Sequence, residues 1–498
     1  MKIEYKVSQK TGFVGPATVI FVPTAPGDSQ ADAKLEPYGG LISPLIESGA
    51  FQVGKSEVFV LSAGMGEWLL VVGLAQLTKA GLLESTALAS KKLKDLGVEK
   101  ATFIVPKLPL DLLSVVEWIT LGLTLALEPR QVYKSKSEEK PLRLKEVYIL
   151  DNDQGIGREN AQWAIHYASL AGKAQLQARS FIDRPANLLY PEIMAYQASK
   201  IGQDHGVSVT VWDEKKLAEE GAGGVLAVGG GSLHPPRMVI VEYQGQGANE
   251  NLGPIALVGK GVTFDSGGFC LKPPENMSLM KTDMAGAATV FFTIIAAADL
   301  KIPVHLVGVL PLAENLPDGG AFRPGDIITT LSGQTIEIVN TDAEGRVILA
   351  DALTLAQRYK PSRIIDLATL TGACLVGLGE SMAGFFCNDL SLNDDLTKAF
   401  RAAAEDFWPL PLYEGYDEKL KSDLADFKES GSRAGGAIVG ALFLRRFIEA
   451  NLPWAHLDIV GAARNTTAKP HCPEGATGYG VRTLLRFLLD SVSPIATL

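Results

Sequence analysis

Along its first 180 residues the chain alternates short apolar runs with longer stretches of helical spacing. The apolar runs, together with the alternating pattern at the N-terminus, predict strands at residues 1–7, 18–22, 57–61, 68–72, 101–105 and 146–150. Between them, apolar positions recur every three to four residues and predict helices at 79–96 and 110–127. Strands that alternate with helices are typical of an α/β layer fold with a mainly parallel sheet.

A long stretch of helical spacing, residues 159–180, follows this region. It ends shortly before Pro185, and proline does not continue a helix because it lacks the backbone N–H. We therefore expect two domains. Residues 1–185 would form a small N-terminal α/β domain that ends in this connecting helix, and residues 186–498 would form a larger one.

The larger region again mixes strands and helices. Several of its strands are apolar along their whole length, which is expected when helices cover both faces of a sheet. We predict a mixed central sheet covered by helices, with strands at 207–212, 238–243, 254–258, 304–309, 335–339, 363–367 and 456–460, and helices at 285–300, 346–359, 394–404 and 437–450. Ligands of such sheets collect beyond the carboxyl ends of the strands, and the charged residues of interest follow strand ends.

Composition and charge narrow the classes of function. The 498 residues are 47% hydrophobic and 20% charged, which is unlike a disordered chain. The formal net charge of −10 disfavours nucleic acid as a partner, because nucleic-acid binders usually carry a basic stripe.

The chain also lacks the usual signs of a membrane or secreted protein. Its most membrane-like segment, residues 112–127, carries Glu117 and is shorter than the roughly 20 apolar residues of a span, so we expect a buried helix. The N-terminus lacks the positive-then-apolar pattern of a signal peptide. The four cysteines contain no CxxC pair, which argues against a disulfide or zinc–thiolate framework. These features predict a cytoplasmic protein.

The segment Asn-Thr-Asp-Ala-Glu-Gly-Arg at residues 340–346 is the most informative part of the sequence. In an extended backbone, residues two apart point to the same side, so Asp342, Glu344 and Arg346 are expected to converge. Two carboxylates that close repel each other unless a cation lies between them. The segment therefore predicts a metal site.

A second group of charged residues lies upstream, in glycine-containing loops: Lys260, Asp265, Lys272 and Asp283. A phosphate-binding loop does not explain it, because five residues separate Gly253 from Gly259 and Gly261 occupies the place of the Ser or Thr that binds Mg²⁺. The two groups together supply four carboxylates and two lysines. A functional site explains both groups better than incidental surface charges do.

A calcium-binding EF-hand loop is a rival interpretation of residues 340–351. Asn340, Asp342, Glu344, Gly345 and Asp351 match five of its positions. An EF-hand loop is entered from a helix, however, and the apolar run 335–339 predicts a strand.

The complete set of motifs resembles the leucyl (cytosol) aminopeptidase family. The signature of that family is reproduced at 340–346, and further blocks match at 258–268, 280–286, 324–326, 367–372 and 454–458. The resemblance covers residues 180–490 and implies a small N-terminal α/β domain, a catalytic α/β domain, and a homohexamer whose active sites face an interior cavity.

The resemblance also implies roles for individual residues. Two divalent metal ions, Mn²⁺ or Zn²⁺ with Mg²⁺ as a further option, would be held by Lys260, Asp265, Asp283, Asp342 and Glu344. Asp265 and Glu344 would bridge the ions, Lys260 and Asp283 would belong to the tighter site, and Asp342 to the exchangeable one. Lys272 and Arg346 match the two catalytic positions, and Arg346 would hold a bicarbonate that acts as general base.

The implied reaction is the release of N-terminal amino acids, with leucine and other apolar residues preferred. Two ions about 3.5–4 Å apart can lower the pKa of a bridging water, and the resulting hydroxide would attack the scissile bond of a peptide with a free N-terminus. By resemblance, Met280, Asn340, Thr369, Gly372 and residues 460–463 would line an apolar side-chain pocket.

Two other functions stay open at this point. A non-catalytic oligomeric binding or regulatory protein could retain the same fold. A phosphoesterase could also use two metals, but such sites typically rely on histidines, and the six histidines lie outside the ligand-bearing motifs. His456, within an apolar strand, is expected to be a core or supporting residue.

Overall fold

The structure is a computed structural model that describes residues 1–7, 15–23, 39–64, 66–127, 133–136, 141–151, 155–249, 253–431 and 434–492. The chain forms two compact units. One comprises Met1–Lys173 and Thr467–Glu474, and the other comprises Ala174–Thr466 and Gly475–Leu498. The division after Lys173 falls inside a long helix, Arg158–Ile182. Both units mix strands with helices, so the predicted α/β class is confirmed.

Six strands form the sheet of the first unit: β1 (Lys2–Val7), β2 (Ala17–Val22), β3 (Val58–Gly64), β4 (Glu67–Gly73), β5 (Lys100–Ile104) and β6 (Glu146–Asp151). They lie in the order β1-β6-β5-β2-β4-β3, and all neighbours are parallel except β3 and β4. The accompanying helices are α1 (Gly39–Glu47), α2 (Lys79–Leu96), α3 (Leu112–Leu127) and α4 (Arg158–Ile182). The mainly parallel sheet is as predicted, whereas α1 was not predicted.

Helix α2 has the predicted bounds because both of its ends are capped. Oγ1 of Thr78 accepts a hydrogen bond from the backbone N–H of Gly81 at 3.2 Å, and Gly97 ends the helix in the left-handed conformation at φ 67°. Helix α3 is buried along most of its length, including Glu117, which confirms the prediction of a buried helix at 112–127.

The described part of the second unit contains fourteen strands: β7 (Ser208–Trp212), β8 (Arg237–Gln244), β9 (Ile255–Gly259), β10 (Gly261–Asp265), β11 (His305–Asn315), β12 (Ile327–Thr329), β13 (Thr335–Glu337), β14 (Arg363–Ala368), β15 (Ala383–Cys387), β16 (Phe407–Pro409), β17 (Phe427–Lys428), β18 (Trp454–Asp458), β19 (Arg464–Asn465) and β20 (Gly475–Ala476). Nine of them form one sheet in the order β16-β15-β18-β14-β9-β11-β8-β7, with β10 paired to β11. Its centre is parallel. Strand β8 runs antiparallel to both of its neighbours, β7 and β11, while β15 runs antiparallel to β18 and parallel to β16. The predicted mixed sheet is confirmed.

The helices of the second unit, beyond the end of α4, are α5 (Pro191–Asp204), α6 (Glu214–Glu220), α7 (Gly223–Gly229), α8 (Pro274–Met277), α9 (Ala285–Asp299), α10 (Glu344–Gln357), α11 (Gly372–Leu378), α12 (Leu390–Ala403), α13 (Gly436–Arg445) and α14 (Val481–Val492). Short 3₁₀ helices lie at Ala186–Leu188, Met280–Thr282, Thr341–Ala343 and Glu414–Leu420. Helix α9 packs on β9 and β14, and α10 packs on β9 and β11.

The topology brings several chain segments to one edge of the large sheet. Strands β10, β11, β9, β14 and β18 are successive parallel neighbours, so their carboxyl ends lie along the same edge. Buried apolar side chains fill the core beneath them, including Val258, Val309 and Ile364. The residues that follow these strand ends are therefore held on a rigid support, as expected for a site on an open α/β sheet.

One local expectation was wrong. The predicted strand 335–339 is reduced to β13, which lies in a separate three-stranded sheet with β12 and β17. Residues 340–346 are not extended, because Thr341–Ala343 form a 3₁₀ helix and α10 begins at Glu344. The alternation of an extended backbone therefore does not explain how Asp342 and Glu344 come together.

Among the described residues, one helical stretch, Met280–Asp299, passes the length and hydropathy criteria for a membrane span. Within its most apolar window, 83% of the residues are buried inside the fold. That burial is the environment of a core helix.

Candidate active site

Lys260 and Asp265 both project from the carboxyl edge of the large sheet. Lys260 follows β9 directly, and Asp265 is the last residue of β10. Hydrogen bonds hold the backbone of Lys260, whose N–H donates to the Leu367 carbonyl at 3.0 Å and whose carbonyl accepts from the N–H of Ala287 at 2.8 Å. Both side chains are almost fully buried, with 3% and 2% of their residue surface exposed.

Asp283 faces Lys260 from the turn before α9. Its Oδ2 lies 2.7 Å from Nζ of Lys260, and its Oδ1 accepts a hydrogen bond from Oγ1 of Thr369 at 2.6 Å. Nζ of Lys260 also donates to the carbonyl of Thr369 at 3.0 Å and lies 2.9 Å from Oε1 of Glu344. The lysine thus joins three chain segments.

The tight turn at residues 340–344 places the other two carboxylates. Oδ1 of Asn340 accepts a hydrogen bond from the N–H of Asp342 at 3.0 Å and starts the 3₁₀ helix, which leads directly into α10 at Glu344. This turn brings Asp342 and Glu344 beside Asp265, where one carboxylate oxygen from each residue lies within 4.8 Å of the others. The predicted convergence of these two acids occurs, through a helical turn.

Lys272 closes the cluster from the loop after β10. Its Nζ lies 2.7 Å from Oδ2 of Asp265 and 2.5 Å from Oδ1 of Asp342. The loop turns at Gly267, where φ is +86° and a Cβ atom would stand 2.5 Å from the Cys270 carbonyl oxygen. Only glycine accommodates both the backbone conformation and the close approach.

The cluster has an excess of negative charge, since four carboxylates face two ammonium groups. Burial and the nearby Glu344 raise the pKa of Asp265 to about 6. Burial likewise raises the pKa values of Asp283 and Asp342 above their usual range, against the opposing effect of the lysines. Buried like charges of this kind favour a bound cation.

The pKa values of the two lysines and of Glu344 shift in the direction that favours the charged form. Burial alone would lower the pKa of Lys260, but the carboxylates of Asp283, Glu344 and Asp265 outweigh it and raise that pKa. The pKa of Lys272 is raised for the same reason. Burial would raise the pKa of Glu344, but the two lysines outweigh burial and lower that pKa.

The donor set fits divalent cations. Oε2 of Glu344 is buried and has no hydrogen-bond partner among the described residues. Carboxylate oxygens are ligands for Mn²⁺, Mg²⁺ and Zn²⁺, and no histidine of the described chain joins the cluster. The residues needed for a carboxylate-rich divalent site are therefore in place.

Arg346 lies in the first turn of α10, beside this cluster. Its Nη1 donates to the backbone carbonyl of Glu429 at 2.7 Å, while its buried Nε has no partner among the described residues. Burial lowers the pKa of its guanidinium, and the negative charges of Glu429, Glu344 and Asp458 oppose that effect. The side chain keeps free donor capacity, which suits it to hold an anion.

The EF-hand interpretation is wrong, because the carboxylate of Asp351 accepts hydrogen bonds from backbone N–H groups outside residues 340–351. Its Oδ2 accepts from the N–H of Val225 at 2.9 Å, and its Oδ1 accepts from the N–H of Leu331 at 2.7 Å. Both carboxylate oxygens therefore serve other parts of the fold, and the entry to residues 340–351 is not a helix.

The expected side-chain pocket residues occupy the loops around this cluster. Met280 lies in the 3₁₀ helix before Asp283, Asn340 caps the 340–344 turn, Thr369 contacts Asp283, and Gly372 begins α11. Residues 460–463 follow β18, where Oδ1 of Asp458 accepts from the N–H groups of Leu370 at 3.1 Å and Val460 at 3.4 Å. This shared acceptor ties the 369–372 loop to the 460–463 loop.

The sequence analysis missed three polar residues that support the cluster: Asn315, Glu429 and Asp458. Each has no exposed surface, and each hydrogen-bonds backbone or side-chain groups of the loops described above. Asn315 and Asp458 end strands β11 and β18, so their position at the carboxyl edge is the signal that could have identified them. Glu429 lies in a loop and carries no such signal.

The comparisons with known proteins agree with this site. Residues 176–485 match the family described as "Cytosol aminopeptidase family, catalytic domain". A probable cytosol aminopeptidase of Syntrophotalea carbinolica is 42% identical over 458 residues, covering 90% of this chain and 91% of the relative. One of Geobacter sp. is 42% identical over 468 residues, covering 92% and 93% respectively.

Solved structures extend the similarity to the whole fold. A mutant of tomato leucine aminopeptidase superposes with a TM-score of 0.86 at 31% identity, covering 98% of this chain and 96% of that one. The bottromycin maturation enzyme BotP in complex with Mn superposes with a TM-score of 0.84 at 31% identity, covering 96% and 100%. These relatives favour an enzyme over a non-catalytic binding protein. The chain belongs to the cytosol aminopeptidase family, and it is a metal-dependent aminopeptidase that acts on peptides.

Proposed function

We propose that Lys260, Asp265, Asp283, Asp342 and Glu344 hold two divalent cations, with Asp265 and Glu344 shared between them. The observation that carries the proposal is the buried meeting of Asp265, Asp342 and Glu344, whose oxygens lie within 4.8 Å. Mn²⁺ or Zn²⁺ suits this donor set, and Mg²⁺ is a further option. The similarity to BotP, whose structure was solved in complex with Mn, supports Mn²⁺.

Lys260 must lose its proton before its amine can act as a ligand. The surrounding carboxylates raise its pKa, so the incoming cation has to displace that proton. With a cation bound, the charge of the neighbouring acids would be balanced by the metal instead of by the ammonium group.

The cations, when bound, would polarise the scissile carbonyl and lower the pKa of an attacking water. Lys272 would stabilise the negative charge that develops on the carbonyl oxygen, because its ammonium group lies at the edge of the cluster and is partly exposed. Arg346 keeps its proton at neutral pH, so we assign it the binding of an anion, with bicarbonate as the candidate general base.

The substrate would be a peptide with a free N-terminus. A free α-amine can coordinate a cation, whereas an internal peptide bond or an acetylated terminus offers no such amine. Leucine and other apolar side chains would enter a pocket formed by Met280, Asn340, Thr369, Gly372 and residues 460–463. We further propose a cytoplasmic homohexamer, on the strength of the family relationship.

The test compares two chromogenic substrates, leucyl p-nitroanilide and its N-acetylated form. The protein is first stripped with a chelator and then supplied with Mn²⁺ or Zn²⁺ in separate samples. Cleavage of the free-amine substrate alone, lost on stripping and regained with metal, supports the proposal. Equal cleavage of both substrates would reject the amine-dependent mechanism, and no cleavage at full metal loading would reject the catalytic assignment.

A further inference from the structure

Asn315 is the last residue of β11 and lies directly beside Asp265, the last residue of β10. The two strands are parallel, and Asp265 pairs with Asn315 in their register. Asn315 has no exposed surface. Its backbone carbonyl accepts from both the N–H of Ser266 at 3.0 Å and Oγ of Ser266 at 2.7 Å, which fixes the start of the Lys272 loop.

The side-chain amide of Asn315 makes two further hydrogen bonds toward the cluster. Its Nδ2 donates to Oδ1 of Asp265 at 2.8 Å and to the backbone carbonyl of Thr341 at 2.9 Å. Both partners are pure acceptors, so the nitrogen and not the oxygen must face them. The position therefore requires a neutral group with two donor hydrogens, which asparagine supplies and aspartate does not.

We propose that Asn315 is a positioning residue for the metal centre, and that it acts by orienting Asp265 and by joining Asp265 to residues 340–346. This inference rests on the proposed function, since it concerns the ligands assigned there. Oδ1 of Asp265 is occupied by the amide of Asn315 and by the N–H of Gly267 at 2.9 Å. Oδ2, which lies 2.7 Å from Nζ of Lys272, is thereby left as the oxygen of Asp265 that would bind a cation.

The hydrogen bond from Asn315 to the carbonyl of Thr341 connects Asp265 to the segment that holds Asp342. Thr341 precedes Asp342, and Oγ1 of Thr341 donates to the carbonyl of Gly267 at 2.6 Å and accepts from the N–H of Cys270 at 2.8 Å. Asn315 thus completes a ring of contacts between the loop after β10 and the 340–344 turn. With the amide absent, Asp265 can rotate and the two ligand-bearing segments can move apart.

The experiment measures Mn²⁺ binding itself, with Mn²⁺ titrated into stripped protein and followed by chelator competition. Loss of a group that orients a metal ligand typically costs about 10–100-fold in metal affinity. For Asn315→Ala we therefore expect at least one of the two Mn²⁺ dissociation constants to rise by about 10–100-fold. Turnover at saturating Mn²⁺ should fall through kcat, with a smaller change in KM.

Asn388→Ala is the matched control. Asn388 also bridges two segments by its side chain, since Nδ2 donates to the Leu452 carbonyl at 3.0 Å and Oδ1 accepts from the N–H of Trp454 at 2.7 Å. It lies near the amino end of β18, at the opposite edge of the sheet from the cluster. Its removal should lower the melting temperature and leave both Mn²⁺ dissociation constants unchanged.

Asn315→Asp keeps the shape of the side chain but removes both donor hydrogens, and thermal melting of each variant checks that it folds. An added carboxylate would by charge alone tighten cation binding, whereas loss of the two donors weakens it. We expect weaker Mn²⁺ binding than in the wild type. Mn²⁺ binding by Asn315→Asp or Asn315→Ala that equals or exceeds that of the wild type would overturn the inference. A wild type that binds no Mn²⁺ would instead reject the proposed function.

Discussion

Lys260 lies directly against Gly345, where a Cβ atom would stand 2.4 Å from Cε and 2.6 Å from Nζ of the lysine. The glycine of the 340–346 segment therefore makes room for the proposed lysine ligand. The atoms in the way are the flexible end of a side chain, so Gly345→Ala should fold normally and displace the amine from Asp283 and Glu344.

For Gly345→Ala we expect Mn²⁺ affinity and kcat to fall by at least about tenfold, as for other losses of ligand geometry. Mn²⁺ titration and thermal melting of the same sample measure the two effects separately. Gly377→Ala is the control, because this helical glycine has no atom within 4 Å of an added Cβ. Wild-type affinity in Gly345→Ala would contradict the role of Lys260.

Lys272→Ala tests the charge-stabilising role of that lysine. Removal of one group that stabilises a developing oxyanion costs about 10²–10³-fold in kcat. Mn²⁺ stoichiometry should stay full, because the ammonium group competes with a cation for Asp265 and Asp342. Single-turnover kinetics and metal analysis check the two parts, with the exposed Lys398→Ala as control. Near-normal kcat would refute the assignment.

A buried ion pair beneath the site predicts a pH-dependent stability. Nδ1 of His456 lies 2.5 Å from Oδ1 of Asp366, and Nε1 of Trp454 donates to Oδ2 of Asp366 at 2.7 Å. Burial alone would lower the pKa of His456, and Arg346 adds to that effect, but Asp366 and Asp458 outweigh both and raise the pKa above 6.5. The folded protein therefore holds this proton more tightly than the unfolded chain.

Because the folded-state pKa is raised, the stabilisation is complete below pH 6.5 and is lost as the pH rises through the folded pKa. The difference in melting temperature between wild type and His456→Gln should therefore be larger at pH 6 than at pH 9. Asp366→Asn removes the negative charge beside His456. The melting temperature of this variant should therefore depend less on pH than that of the wild type, as for His456→Gln. A difference that stays constant from pH 6 to pH 9 would contradict the raised pKa.

The regular elements could be predicted because their signals are local. The bounds of α2 follow from Thr78 and Gly97, and the apolar strands β9 and β14 follow from their continuous burial. The 340–344 turn could not be predicted from the sequence. It depends on a hydrogen bond from the N–H of Asp342 to the side chain of Asn340, and that bond forms only in the folded turn. The spacing of acids fitted an extended chain equally well.

Parts of the site depend on contacts between distant positions. The predicted strand 304–309 stops six residues before Asn315, whereas β11 continues through Pro311, a residue that is rare inside a central strand. The end of that strand, and with it the placement of Asn315 beside Asp265, is decided by pairing with β8 and β10. Glu429 lies in a loop, and its bonds to Val339 and Asn340 span about ninety positions of sequence.

Asp351 gives a prediction that separates stability from metal binding. Burial raises the pKa of its carboxyl group to about 7, even though the N–H groups of Leu331, Val225 and Gly224 act in the opposite direction. Asp351→Ala leaves the buried N–H of Val225 and the partly buried N–H of Leu331 without their acceptor. A buried N–H group that loses its acceptor costs about 1–3 kcal/mol, so the unfolding free energy should fall by at least about 1–3 kcal/mol.

Asp351→Ala should nevertheless bind two Mn²⁺ ions with near wild-type affinity, because both oxygens of Asp351 serve Val225 and Leu331 instead of the metal cluster. Chemical denaturation of the stripped protein and Mn²⁺ titration of the folded variant provide the two measurements. Asp342→Ala is the reciprocal control, since it should lower the Mn²⁺ affinity with little loss of stability. Loss of a metal ion from Asp351→Ala would return this carboxylate to the ligand set, as in the calcium-loop interpretation.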